Sequence, residues 1–391
     1  MNITRRHFFA GSLSLPFFQW TSAPGFAADH MVGARPNVLL ILVEGLPEWL
    51  LGCYGATEVR TPGIDRLAQT GTRFLNHYAC SPIPDVARAC LLTGRTPMQL
   101  KPSGEITLEK LLGDIGYACA STSSGAEAAK FIDAQQAEKP FFLTAGFAPY
   151  TSLPEPGEYA QAKLDTFAQE PAARNAARGK EMLGADRLNN LRRVAAATTA
   201  VDAEVASVLA KIAQKKMVDS TLVILTSPTG SLLGRHGLWA AGDASDPVNM
   251  YEEVVATPMI WSWPGKVPPL ATRPEMVSAS DLVPTICDIT PAPLPDRNLW
   301  GRSYYDVATG KPLPKKSPWR TTVFALHGDT AMARTDRYKV VVRADGKGPG
   351  ELYDDRVDPR ERTNQSDNSQ FLTVKTPLVA AIGKWKQAYS S

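Results

Sequence analysis

Three features of the sequence predict an α/β fold, with a mostly parallel central sheet flanked by helices. The first is a set of short apolar runs without polar alternation, Asn37–Val43, Phe141–Leu143 and Thr221–Thr226. Such runs suit strands covered on both faces. The second is a helix before the last run, with Val201, Val205, Val208, Leu209 and Ile212 on one stripe at helical spacing. The third is the repeated order of helix then strand along the chain.

Taken in order, the elements begin after a targeting segment. Thr4-Arg5-Arg6-His7-Phe8-Phe9 precedes an apolar stretch through Leu13, Leu15, Phe17 and Phe18, and Gly25-Phe26-Ala27 offers a cleavage site. The paired arginines predict a twin-arginine export signal over residues 1–27, with the protein periplasmic or secreted. A general secretory signal that carries Arg-Arg is the other reading. No later stretch has the apolar length of a membrane span.

Residues 28–300 are expected to form the α/β domain, opening with the strand Asn37–Val43. From Glu170 to Arg193 the chain is charged and alanine-rich and reads as solvated helix. Prolines between Pro264 and Pro295 mark loops around a short helix near Asp281-Leu282-Val283. After Gly301 the runs Thr322–Ala325 and Tyr338–Val342 predict a small antiparallel sheet, closed by a helix over Val379–Tyr389. Residues 301–391 are thus read as a smaller C-terminal subdomain.

Composition excludes some classes. Lysine and arginine number 42 against 39 acidic residues, and Arg5 and Arg6 lie in the signal. A nearly neutral chain carries no electrostatic footprint for nucleic acid. The five cysteines, Cys53, Cys80, Cys90, Cys119 and Cys287, include no C-x-x-C pair, so zinc and redox motifs lack support.

Several blocks carry a family resemblance. They are Arg35-Pro36-Asn37 through Gly55, Thr61-Pro62-Gly63-Ile64-Asp65-Arg66-Leu67-Ala68, and Arg88-Ala89-Cys90-Leu91-Leu92-Thr93-Gly94-Arg95. Further on come Gly234-Arg235-His236-Gly237, Tyr251-Glu252-Glu253, Trp263-Pro264-Gly265-Lys266 and Asp281-Leu282-Val283-Pro284-Thr285. The tail adds Arg334–Lys339 and Glu351–Asp354. In this order, across nearly the whole chain, they resemble the sulfatases of the alkaline-phosphatase-like superfamily.

That resemblance implies a calcium ion, a formylglycine made from cysteine, and supporting lysine and histidine. Calcium needs several hard oxygen ligands. The ligand positions the resemblance implies are Glu44, Gly45, Pro228 and Thr229, of which Glu44 alone bears a carboxylate. The family's Cys-x-Pro-x-Arg motif, in register with Arg88, puts Pro84 at the nucleophile position. Proline has no nucleophilic atom, but it suits a helix's first turn. Cys80-Ser81-Pro82 imitates the motif one helical turn early, with Pro84 where its arginine would stand. The Gly-Lys-Trp-His of the family corresponds to Ser123-Ser124-Gly125-Ala126, and Tyr150 stands for a histidine. The expected lysine is missing from Ala240–Asp246, whereas Arg88 and His236 persist.

Three functional readings follow. A catalytically degenerate sulfatase relative would bind or regulate, with no cofactor, and its partner would be a sulfated or phosphorylated glycan or an active sulfatase. An active sulfuric- or phosphoric-ester hydrolase with a rebuilt, non-formylglycine site would draw on Glu44, Asp85, Arg88 and His236, with calcium only if the site is rebuilt. A purely structural protein would have its pocket filled.

Overall fold

The computed structural model describes residues 35–136, 138–164, 172–184, 186–344 and 348–390. The export signal expected over residues 1–27 lies outside them. The strands are β1 (Asn37–Val43), β2 (Thr72–Phe74), β3 (His77–Tyr78), β4 (Ala118–Thr122), β5 (Phe141–Phe147), β6 (Thr221–Thr226), β7 (Met259–Ser262), β8 (Ala271–Arg273), β9 (Val277–Ser278), β10 (Val323–His327), β11 (Thr330–Arg334), β12 (Tyr338–Arg343) and β13 (Glu351–Asp354). The helices are α1 (Pro62–Gln69), α2 (Pro84–Thr93), α3 (Leu108–Asp114), α4 (Gly125–Asp133), α5 (Arg187–Gln214), α6 (Glu252–Val255), α7 (Leu282–Ile289), α8 (Tyr305–Thr309) and α9 (Leu372–Tyr389).

Seven strands form the main sheet in the order β4-β5-β1-β6-β7-β2-β8. The three apolar runs are its centre: β1 pairs in parallel with β5 on one side and β6 on the other. Alternate side chains of β1 feed two cores. Leu39, Ile41 and Val43 join one with α1, α4 and α5, and Val38, Leu40 and Leu42 join the other with α2, α3 and α7. Both faces being covered is the physical reason the strand shows no polar alternation. On α5, Val201, Val205, Val208 and Ile212 are buried, as the stripe requires. Only β7 runs antiparallel to its neighbours β6 and β2.

The solvated helix expected over Glu170–Arg193 is corrected over residues 172–184 and holds from Arg187 to Arg193. Residues 172–184 are turns with one short 3-10 segment, Lys180–Leu183, and α5 begins at Arg187. Gly179 takes a left-handed backbone, and the segment spends its amides on a neighbouring loop: Ala173 N–H donates to Gly237 O at 2.8 Å and Ala177 N–H to Ala244 O at 2.7 Å. A helix would have kept those bonds internal.

A second sheet, antiparallel in the order β10-β11-β12-β13, follows Gly301. Helix α9 packs on it through Ile382 and Trp385, with Trp385 stacked on Phe324 at 5.1 Å. It starts at Leu372, before the expected Val379, and runs through Pro377.

Buried charge joins this sheet to the rest. Glu252, opening α6, accepts from Tyr78 Oη at 2.7 Å, Arg334 Nη2 at 3.1 Å and Lys339 Nζ at 3.3 Å. Lys339, 1 % exposed, also donates to Met250 O at 2.7 Å and pairs with Glu361, while Arg334 pairs with Asp355 at 2.9 Å. Three carboxyls thus share two cations. Burial raises Glu361 to about 8 despite Lys339. Burial pushes Glu252 the same way, but Arg334 and Lys339 outweigh it and hold Glu252 down at about 2. Among the described residues no helix is long and apolar enough to cross a membrane.

Candidate functional site

The parallel order brings the carboxyl ends of β1 and β6 side by side, where ligands bind in open α/β sheets. After β1, Glu44 N–H donates to Phe147 O at 2.7 Å, and Gly45 turns the chain with φ +68°. A Cβ on Gly45 would stand 2.8 Å from Ser231 Oγ and 3.5 Å from the Tyr150 ring. Leu46 N–H then donates to Ser227 Oγ at 3.2 Å, and that hydroxyl donates to Thr229 O at 2.5 Å. Ser227 and Thr229 are fully buried, and Thr229 Oγ1 has no hydrogen-bond partner.

Helix α2 aims its first turn at this point. Pro84 is its first residue, Asp85 is exposed in its first turn, and Gly94 ends it in a left-handed cap. Pro84 leaves no N–H to satisfy at a helix start, where it would lack an intrahelical partner anyway. Arg88, one turn on, forms an ion pair with Glu44 through Nη2 and Oε1. The Arg88 side chain is 39 % exposed and that of Glu44 23 %. Burial raises the Glu44 pKa, Arg88 opposes the rise, and Asp85 adds to it.

Tyr150 borders the same turn. Its hydroxyl bonds Thr198 Oγ1 at 2.9 Å, and burial pushes its pKa up. His236 belongs elsewhere. It adopts φ +55°, stacks on Tyr251 at 3.7 Å, and bonds Glu253 Oε2 through Nε2 at 3.2 Å. Arg235 contacts Glu253 Oε1 at 3.2 Å and lies over the Trp49 ring at 4.2 Å. Burial acts to raise the Glu253 pKa, but His236 and Arg235 prevail and hold it low. His236 makes no hydrogen bond or ion pair with Glu44, Asp85 or Arg88.

Of the sequence candidates, then, Glu44, Asp85 and Arg88 converge, with Pro84 beside them and Gly45, Pro228 and Thr229 along the two strand ends. Cys80 is 2 % exposed, its sulfur 3.4 Å from Ser278 Oγ. Hydrogen bonding from Cys90 holds its pKa down against burial. A reactive thiol also needs access, and this one has none. Sequence reasoning missed Ser227, Ser231 and Thr198. Each is a common residue with no motif around it, and only the packing against Gly45, Leu46 and Tyr150 makes it part of the site.

The calcium that the resemblance implies does not fit this donor set. Gly45 and Pro228 carry no side-chain oxygen, Thr229 offers a neutral hydroxyl, and Glu44 is already matched by a guanidinium. Calcium requires six to eight oxygens, several of them anionic. Among the described residues no three His, Cys, Asp or Glu gather as a metal cluster.

Comparison with known proteins agrees with the fold. The sulfatase family model matches residues 36–122 and 107–292, and that of the N-sulphoglucosamine sulphohydrolase C-terminal region matches residues 242–388. Human arylsulfatase A is 27% identical over 80% of this chain and 76% of its own length. A Δ4,5-hexuronate-2-O-sulfatase of Bacteroides thetaiotaomicron is 25% identical over 87% of this chain and 86% of its own. Human steryl-sulfatase is 35% identical over a shorter region, 27% of this chain and 20% of its own. Among solved structures, one bound to its substrate D-glucosamine-2-N,6-O-disulfate superposes with a TM-score of 0.74 at 19% identity, covering 91% of this chain and 98% of its own. The phosphonate monoester hydrolase of Agrobacterium radiobacter does so at 0.72 and 19% identity, over 91% and 96%. With the family's sequence pattern across most of its length and the family's sheet beneath it, this chain belongs to the sulfatase family.

Proposed function

We propose that this protein is a catalytically degenerate sulfatase relative that binds a sulfated sugar outside the cytoplasm. The observation that carries the reading is the Glu44–Arg88 ion pair at the strand ends. It leaves the surviving carboxylate neutralised by the protein's own guanidinium, with Pro84 at the start of the helix that would carry a nucleophile. Catalysis of sulfuryl transfer needs charge placed for the transition state, and here that charge is neutralised internally. Binding needs less. The half-exposed Arg88 can contact an oxyanion with its free guanidinium edge. Several relatives are named for sulfated sugars, which supports a sulfated glycan as the ligand class. A phosphorylated glycan offers the same chemistry, and an active sulfatase is the alternative partner.

Export by the twin-arginine-type segment, to the periplasm or beyond, completes the proposal, as does the division at residue 300. A second reading, a hydrolase with a rebuilt site, draws on Asp85 standing close enough to Glu44 to raise its pKa. One experiment separates them. The purified full chain is assayed for bound metal, for a calcium-dependent melt, and for turnover of 4-nitrophenyl sulfate and phosphate. Binding of N-acetylglucosamine 6-sulfate is measured in parallel. The binding reading expects no stoichiometric calcium, no shift, no turnover, and sugar binding that Arg88→Gln abolishes. A calcium ion at a hundredfold excess over its Kd would add about 2.7 kcal/mol. That shift, with turnover lost in Asp85→Asn or Glu44→Gln, would overturn degeneracy in favour of the hydrolase.

A further inference from the structure

Charge that is nearly balanced over the chain is not balanced locally. Residues 297–320 hold Arg297, Arg302, Lys311, Lys315, Lys316 and Arg320 against the single acid Asp306. The fold concentrates part of this charge. Arg302 lies over the Trp319 ring at 4.0 Å, and Arg320 lies over Trp300 at 4.4 Å and Trp319 at 5.3 Å. Trp319 is pinned by its Nε1–H to Met276 O at 2.7 Å. The fully buried Asp281 pairs with the Arg320 guanidinium and accepts the backbone N–H of Arg302 at 2.8 Å, so among the described residues the Arg302 guanidinium has no ion-pair partner. Arg302 Nη2 donates to Pro318 O at 2.9 Å, and its Nε–H is buried without an acceptor. Burial and Arg320 together press the Arg302 pKa down to about 10. Beside them Lys315 and Lys316 are exposed, with no ion-pair partner among the described residues.

We infer that this face is a second, separate binding site for a sulfated polysaccharide, engaged by Arg302, Lys315 and Lys316, with Arg320 buried behind them on Asp281. The one buried carboxylate is taken by Arg320, so the guanidinium of Arg302 lacks an oxyanion, and its planar donor fork matches the oxygens of a sulfate group. Flexible lysines alongside add point charges that a polymer of repeated sulfates meets together. Nucleic acid fits less well. Single-strand binders stack bases on open aromatic faces, and here guanidiniums cover Trp300 and Trp319. The site is distinct from the strand-end pocket. It adjoins Ser280 and Asp281, against which Gly94 and Gly301 pack, at the far end of α2 from Pro84. A helix of that length spans ~15 Å. The choice of sulfate over other anions rests on the binding reading above.

The test uses fluorescently labelled dextran sulfate, with neutral dextran and duplex DNA as comparisons, on the full chain at low and high salt. Dextran sulfate is expected to bind and to weaken with salt, and neutral dextran not to bind. Lys315→Ala/Lys316→Ala is expected to weaken binding about fivefold or more at unchanged Tm, as loss of two screened contacts predicts. Arg302→Gln is expected to weaken polymer binding as well, with a lower Tm from the lost contacts to Trp319 and Pro318 O. Wild-type affinity in the lysine variant, or DNA bound as tightly as dextran sulfate, would overturn the inference. N-acetylglucosamine 6-sulfate separates the two readings: polymer binding without monosaccharide binding supports this site and removes the pocket.

Discussion

Replacing Lys339 with methionine tests the account of how the C-terminal sheet is held. Lys339 is among the largest fully buried side chains, and its ammonium reaches Glu361, Glu252 and Met250 O. Methionine keeps most of the apolar stem and removes the charge. Glu252 then keeps Arg334 as its cation beside the Tyr78 hydroxyl, and Glu361 keeps no cation within pairing distance among the described residues. Removing one partner of a buried pair destabilises by about 3–5 kcal/mol, because the other charge stays buried. The unfolding entropy of a chain of 391 residues is ~0.8 kcal/mol/K at about 2.1 cal/mol/K per residue. The Tm should therefore fall by ~4–6 °C in calorimetry at pH 8. At pH 5 the loss should be smaller, since Glu361 then carries its proton and needs no cation. Replacing both partners, Lys339→Met with Glu361→Leu, should recover most of the loss, since a buried pair is often neutral against an apolar one. A Tm drop under about 1 °C at pH 8, or a double variant no better than the single, would refute the reasoning.

Two further predictions concern the Glu361 carboxyl and the turn at Gly45. Glu361 has a raised pKa in the folded chain, so its contribution to stability is full below its unfolded value near 4.5 and is lost as pH climbs to about 8; Glu361→Gln should flatten urea midpoints across that window, and an unchanged slope would count against it. Glu252, held low, contributes in the opposite sense, above pH 4.5 and lost toward about 2. Gly45→Ala must accept a left-handed backbone beside Ser231 and should lower stability by about 1–2 kcal/mol in urea melts; a neutral result would mean that the turn is not fixed.

The fold was legible because its signals are local. Asn37–Val43 and Thr221–Thr226 have no polar face, and a strand with no polar face must be covered twice. The resemblance of Arg88 to Arg95 to the family's helix after its nucleophile put Pro84 at a helix start, and α2 begins there. Where the reading failed, over residues 172–184, composition favoured helix while the backbone found partners in the 237–244 loop, far along the chain. The site was half legible. The family resemblance grouped Glu44, Asp85, Arg88 and His236 at one site, but the direct Glu44–Arg88 pair and the departure of His236 to Glu253 appear only in the packed chain.

What the sequence determined by itself is therefore the α/β class, the family pattern and the residue types at the strand ends. The class follows from periodicity and the family pattern from the ordered motif blocks that resemble sulfatases, neither of which needs a three-dimensional neighbour. Only the tertiary structure decided that Arg88 meets Glu44, that His236 turns to Glu253, and that Arg320 takes Asp281 and leaves the Arg302 guanidinium without a carboxylate. Pairing between charges depends on distance and burial, and both are properties of the packed chain.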